Sequence, residues 1–213
     1  MRRNLFTVLV VMDPFDPNHY RPLLMMTQLI QSNFPIRLGI LIANEGDIKA
    51  CRKDPEHWKA EFDRSDVVTA ADVLGVLKLA SAHGWHIAVQ FMVAWKNNLE
   101  AWQAQNSDPP ERSLLLHTYA ALLQNTVEQG KDSRFILQKV VAQLSEMDII
   151  VSYSTGVRYA EKKGIFPGMG FLNGLPLPDP SSESFGNNVY EVLDDEKNRL
   201  FMKVMQYQIT DTK

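Results

Sequence analysis

The stretch LFTVLVVM, Leu5 to Met12, is a continuous Val-rich apolar run bounded by Asp13 and Pro14. It falls well short of the roughly 18 apolar residues that cross a bilayer. Its β-branched content and abrupt end predict a strand buried on both faces, hence a central strand of a sheet. Asp16 and Pro17 then supply a helix cap and a fixed first turn. Leu23, Met26 and Ile30 follow at helical spacing until Phe34 and Pro35 stop the helix. A second apolar run, IRLGILIA from Ile36 to Ala43, completes strand, helix and strand with short connections. Such a unit is right-handed and its two strands are parallel.

Composition narrows the function classes. The chain has 213 residues, of which 45% are hydrophobic and 22% charged, with a net charge of −3. That balance excludes collagenous, disordered and strongly basic classes and argues against nucleic-acid binding. The single cysteine, Cys51, excludes an intrachain disulfide, a Cys-x-x-Cys pair and a thiolate metal cluster. The start MRRNLFTVLVVMDP imitates a short signal peptide but lacks a small-residue cleavage site, so it reads as the first strand. Because that strand begins almost without lead-in, the chain is expected to be a domain excised from something longer.

From residue 44 to 163 strand signals are scarce and amphipathic patterns predominate. Val73, Leu74, Leu77 and Ala80 mark one helix ended by Gly84. Ile87 to Trp102 carries another, with Phe91, Ala94 and Trp95. After Pro109 and Pro110 come Leu114, Leu115, Tyr119, Leu122 and Leu123, with Gly130 expected to close that helix. Ile136, Leu137, Val140, Val141 and Leu144 form a further one, and Tyr153 to Lys163 another. At the end, GMGF and LPLPD flank Asn173 and Gly174, predicting a two-residue hairpin turn whose second strand, with Pro176 and Pro178, lies at an edge. Val189, Leu193, Leu200 and Val204 then define a last helix. The predicted order is βαβ over 1–43, a mostly helical insertion and link over 44–163, and ββα over 164–213.

That order resembles the thioredoxin arrangement, and GIFPGMGFLNG, Gly164 to Gly174, is similar to its proline, strand and hairpin signature. The resemblance implies an α/β fold with a mixed central sheet and makes Pro167 the expected cis-proline. Where redox thioredoxins carry two thiols, this chain has Asp16, Pro17, Asn18 and His19, so the expected member is redox-inactive.

A closer likeness runs through RRNLFTVLVVMDP, NFPIRLGILI and the stretch from Gly164 to Pro176. These flanks resemble a middle thioredoxin-like domain, second or third, of the UDP-glucose:glycoprotein glucosyltransferase family; the helical insertion contributes little. The resemblance implies a non-catalytic module of an enzyme that reglucosylates misfolded glycoproteins in the endoplasmic reticulum lumen. UDP-glucose and calcium would bind only in the parent's catalytic domain, through an Asp-x-Asp motif. Here Asp194 and Asp195 are adjacent in a helical pattern and form no such motif. Expected partners are misfolded glycoproteins and the parent's other domains, with no nucleic acid, membrane insertion or metal.

No local catalytic signature stands out. His19, His57, His83, His86 and His117 show no compelling ligand spacing, and Ser152 and Ser154 lack a nucleophile elbow. Cys51 sits beside Arg52 and Lys53, whose charges would lower a thiol pKa, but a lone cysteine in a helical segment more often behaves as a small apolar residue. The basic residues of RYAEKKG suit a helix C-terminus. In the last helix, Tyr190, Phe201, Met202 and Met205 broaden the apolar arc beyond one core-facing stripe. With Met25 and Met26 they suggest an adaptable client-binding surface; packing against the insertion or a neighbouring domain is the blander alternative. The rival reading is a thiol-independent enzyme, similar to glutathione transferases, with Tyr20 as the one hydroxyl near the first helix.

Overall fold

The computed structural model describes residues 6–32, 35–60, 66–179 and 185–210, with side chains to 203. Strand β1, Phe6–Met12, pairs in parallel with β2, Ile36–Ile42, from Phe6 opposite Ile36 to Met12 opposite Ile42. The connecting helix α1, Tyr20–Gln31, begins after a 3-10 turn at Pro17–His19 capped by Asp16, as the Asp-Pro pair predicts. Strand β3, Gly170–Leu172, runs antiparallel to β1 and turns into the edge strand β4, Leu175–Pro176. Asn173 and Gly174 both have positive φ, 49° and 87°, which is the primed turn expected of Asn-Gly. The resulting mixed sheet has the order β2-β1-β3-β4, with the Val-rich run in its interior.

Between β2 and β3 the chain is helical. Helix α2, Glu45–Lys53, is capped by Asn44, and α3, Ala70–Ala82, opens with a capping box between Thr69 and Asp72. Helices α4, Trp85–Gln105, α5, Arg112–Thr126, α6, Ser133–Ser145, and α7, Ile149–Lys163, complete the insertion and link. Helix α5 stops at Thr126, short of the expected Gly130. The regular ladder closes there because the Leu123 carbonyl accepts from both the Val127 N–H at 2.9 Å and the Glu128 N–H at 2.7 Å, and the buried Glu128 carboxylate meets Lys131 from the following turn and Lys139 of α6. Helix α8, Phe185–Thr210, is the last described element.

Two apolar clusters hold these layers. Phe6, Val8, Val10 and Leu172 on one sheet face meet Met26 and Leu29 of α1 and Val189 and Leu193 of α8. Val11, Met12 and Ile42 join the larger cluster, in which Tyr20 and Leu23 of α1 contribute alongside Phe91, Trp95, Tyr119 and Tyr153. The insertion therefore shares its core with the sheet. Asn173 locks the hairpin to α8: its side chain accepts from the Thr7 N–H at 2.8 Å and donates at 2.9 Å to the buried Glu196, which Arg199 also holds.

Candidate functional site

The end of β1 delivers the chain to a turn held from below. The Pro14 carbonyl accepts two buried hydrogen bonds, from the Tyr20 hydroxyl at 2.9 Å and from Trp95 Nε1 at 3.0 Å. Asp16 Oδ1 then accepts from the Asn18 N–H at 2.9 Å and from its side-chain amide at 3.0 Å. His19 Nδ1 accepts the Asp13 N–H at 3.2 Å, which leaves the ring proton on Nε2, 3.4 Å from the Asp16 carboxylate.

Facing this turn is a second one, Phe166 to Met169. Pro167 is its second residue and Gly168 its third, with φ +89° and a Met169 N–H to Phe166 carbonyl bond of 3.2 Å, a type II turn. The Gly168 N–H donates to the Val11 carbonyl at 2.8 Å, and a Cβ there would stand 3.1 Å from the His19 ring. Glycine thus permits both the backbone conformation and the contact between the turns. Pro167 is not the cis-proline that the thioredoxin resemblance implies, since no peptide bond among the described residues is cis. The reversal is made by the left-handed Gly168, and proline only has to hold its ordinary φ before it.

Between the two turns and the face of β1 and β3 lies a cleft of about 1270 Å³. Leu9, Phe171, Phe166, Pro167 and Met169 make its walls apolar, with Tyr159 of α7 at the side. Met169 is 42% and Tyr159 47% exposed. Asp16, Asn18, His19 and Lys163 supply polar points around it, and Arg52 stacks on the Phe166 ring at 5.4 Å. Arg52 is also 3.8 Å from Glu161.

The chemistry open to this cleft is restricted. Cys51 lies in α2, buried, and burial together with nearby Glu161 pushes its thiol up while Arg158 only partly offsets them. The acidification expected from Arg52 and Lys53 does not occur, because desolvation dominates. His19 has both ring nitrogens engaged. Asp13, whose carboxyl is raised chiefly by burial, accepts from the Phe15 N–H at 3.0 Å and the Asn44 amide at 3.0 Å. Tyr153 donates to Asp47 at 2.6 Å and accepts the Asn44 N–H at 3.1 Å, and burial pushes its phenol far up. These groups fasten α7 and α2 to the strand ends.

Tyr20 does not offer the hydroxyl that the enzyme reading requires. It is fully buried, its hydroxyl is committed to Pro14, and burial drives its pKa far above the ordinary phenol value. Stabilising a glutathione thiolate needs an accessible donor in the cleft. Among the described residues no group of three or more His, Cys, Asp and Glu side chains can hold a metal, and no helix is long and apolar enough to cross a membrane.

The structure divides the expected client surface on α8. Tyr190, Phe201 and Met202 are 56%, 61% and 59% exposed, while Val189 and Leu193 are buried. Tyr190 and Phe201 share a side of the helix about 16 Å apart along the axis. On that side between them stand Asp194 and Lys197, ion-paired at 3.0 Å. The patch is therefore interrupted. Met26 is fully buried beneath the sheet and unavailable to a ligand. The Met205 side chain lies outside the described residues. Tyr159 and Met169, by contrast, carry no site signal in the sequence. Tyr159 sits inside a charged helix end and Met169 between two glycines, and only the sheet's packing brings them together.

A family model described as a thioredoxin-like domain matches residues 1–213. Among solved structures the chain is similar to a candidate protein-disulfide isomerase from Pseudomonas syringae, with a TM-score of 0.53 and 10% sequence identity over 91% of this chain and 94% of that one. At that identity the likeness concerns the fold alone. No curated protein matches the chain.

Proposed function

Because this chain belongs to the thioredoxin-like domain family and carries a single, buried cysteine, we propose that it is a non-catalytic binding module. The observation that carries this reading is the apolar cleft between the Asp16–His19 and Phe166–Met169 turns, in which the side chains standing where a thiol pair would act, Asp16 and His19, are engaged in holding their own turn. Such a cleft takes up exposed apolar segments by removing their surface from water, at about 25 cal/mol per Å². Tyr159 and Met169 are adaptable contacts suited to varied side chains.

In the finer form of the proposal, the module is one of the middle thioredoxin-like domains of a UDP-glucose:glycoprotein glucosyltransferase in the endoplasmic reticulum lumen. Its occupants are then apolar segments of misfolded glycoproteins, while UDP-glucose and calcium bind in the parent's catalytic domain. The resemblance of the flanks from Arg2 to Pro14, Asn33 to Ile42 and Gly164 to Pro176 supports it. So does the absence of the thiol pair at residues 16–19. The test is a photo-crosslinking amino acid at residue 169 or 159 in the intact parent, presented with an unfolded and a native form of one glycoprotein. Preferential labelling of the unfolded form is expected. Equal or absent labelling reduces the module to a spacer that sets the geometry between other domains.

A further inference from the structure

The sheet's two edges are unlike. On one side, β4 is two residues long and Pro176 and Pro178 remove N–H donors, so nothing can pair with it over any length. On the other, β2 offers seven residues, Ile36–Ile42, without a proline or a bulge. The Phe6 N–H donates to the Pro35 carbonyl at 3.2 Å, and the Ala43 N–H to the Met12 carbonyl at 3.0 Å. With the observed register, this phase gives the parallel ladder to Arg37, Gly39 and Leu41. The N–H and C=O groups of Leu38 and Ile40 consequently point away from β1.

Beside this edge runs an apolar groove of about 490 Å³, with Leu38 and Ile40 on one wall and Leu77 and Trp85 on the other. Leu38 and Ile40 are half-buried and Trp85 is exposed. Charge adds direction. Although the chain carries −3 overall, the charged residue of β2 is Arg37 and that of the groove is Lys78. Among the described residues Arg37 meets no carboxylate, whereas Lys78, on the groove side, already donates to the Ser152 hydroxyl at 2.6 Å, so the charge that selects the occupant is that of Arg37. Arg37 projects on the sheet face opposite to Leu38 and Ile40.

We propose that the open edge of β2 takes up an extended segment of another polypeptide as an added strand, one in which apolar and acidic residues alternate. Main-chain hydrogen bonds to Leu38 and Ile40 hold it. The period of two sends its apolar side chains into the groove and its carboxylates to the face of Arg37. This surface is distinct from the cleft and does not depend on the reading given for it.

The probe is the peptide acetyl-Val-Glu-Val-Glu-Val-amide, with a Val-Lys counterpart as control, followed by amide exchange of the whole chain and by the tryptophan fluorescence change that Trp85→Phe abolishes. Binding of the acidic peptide is expected to protect the Leu38 and Ile40 amides, and the basic peptide to bind at least about tenfold more weakly. Ile40→Pro deletes an outward donor without touching the ladder to β1 and should weaken binding about tenfold. Arg37→Glu, an exposed change that leaves the core intact, should invert the preference between the peptides. Undiminished binding to Ile40→Pro, an unchanged preference in Arg37→Glu, or no binding of either peptide overturns the proposal. So does protection of the same amides by self-association of the chain alone, which would make the edge a contact between two copies.

Discussion

The turn that follows β1 is held by one carbonyl oxygen with two donors, and this arrangement makes a quantitative prediction. Tyr20→Phe removes the hydroxyl that donates to Pro14 but leaves the bond from Trp95, so the carbonyl stays satisfied. The loss should be about 1 kcal/mol, the usual net worth of one hydrogen bond. Trp95→Phe also removes one donor and in addition leaves a gap of roughly 40 Å³, which at about 24 cal/mol per Å³ adds about 1 kcal/mol, for about 2 kcal/mol in all. In the double variant the Pro14 carbonyl is buried with no partner. That orphaned acceptor costs a further 1 to 3 kcal/mol or so. The sum is then about 4 to 6 kcal/mol, well beyond the roughly 3 kcal/mol of simple additivity. Urea denaturation of the four proteins measures it, provided the slope m is unchanged. Additivity within about 0.5 kcal/mol would refute the shared-acceptor account.

Three further outcomes follow from other parts of the molecule. Glu128, held by Lys131 and Lys139, has its carboxyl lowered from 4.5 to about 2. A depressed folded-state pKa gives stability that is present above about 4.5 and lost as pH falls toward 2, so Lys139→Met should flatten the acid limb of stability between those values in a pH-dependent denaturation series. Asn173→Ala removes the bonds to Thr7 and Glu196 and substitutes a residue that tolerates φ 49° poorly; it should cost about 2 to 3 kcal/mol by urea titration, and Asn173→Gly, which relieves the backbone, less. Cys51 should resist an aromatic disulfide reagent in the native chain and react fully once urea unfolds it, because the thiol is buried and its pKa raised. Rapid labelling of the native protein would contradict that burial.

Much of the architecture was open to reading in the linear chain, because the signals involved are local. A Val-rich run ended by Asp13-Pro14 becomes an interior strand, Asp16-Pro17 starts a helix, and Asn173-Gly174 fold a primed turn whatever surrounds them. Each of these rests on backbone sterics or a period of two or 3.6. The alternation of βαβ, helices and ββα then leaves few topologies. The missing thiol pair was equally visible, since one cysteine cannot make two.

What needed the third dimension is set by packing between distant segments. Periodicity shows that a residue is apolar on a helix face, but not whether that face is covered. Thus Met26 disappears beneath the sheet, Tyr20 turns its hydroxyl inward, and the stripe from Tyr190 to Phe201 is broken by an ion pair. The left-handed Gly168, and not a cis Pro167, makes the turn before β3. The cleft formed by residues from β1, α7 and the Phe166–Met169 turn exists only where those segments meet. Burial, which decides both the reactivity of Cys51 and the accessibility of Tyr159 and Met169, is a property of the assembled chain, because it depends on which surfaces lose contact with water.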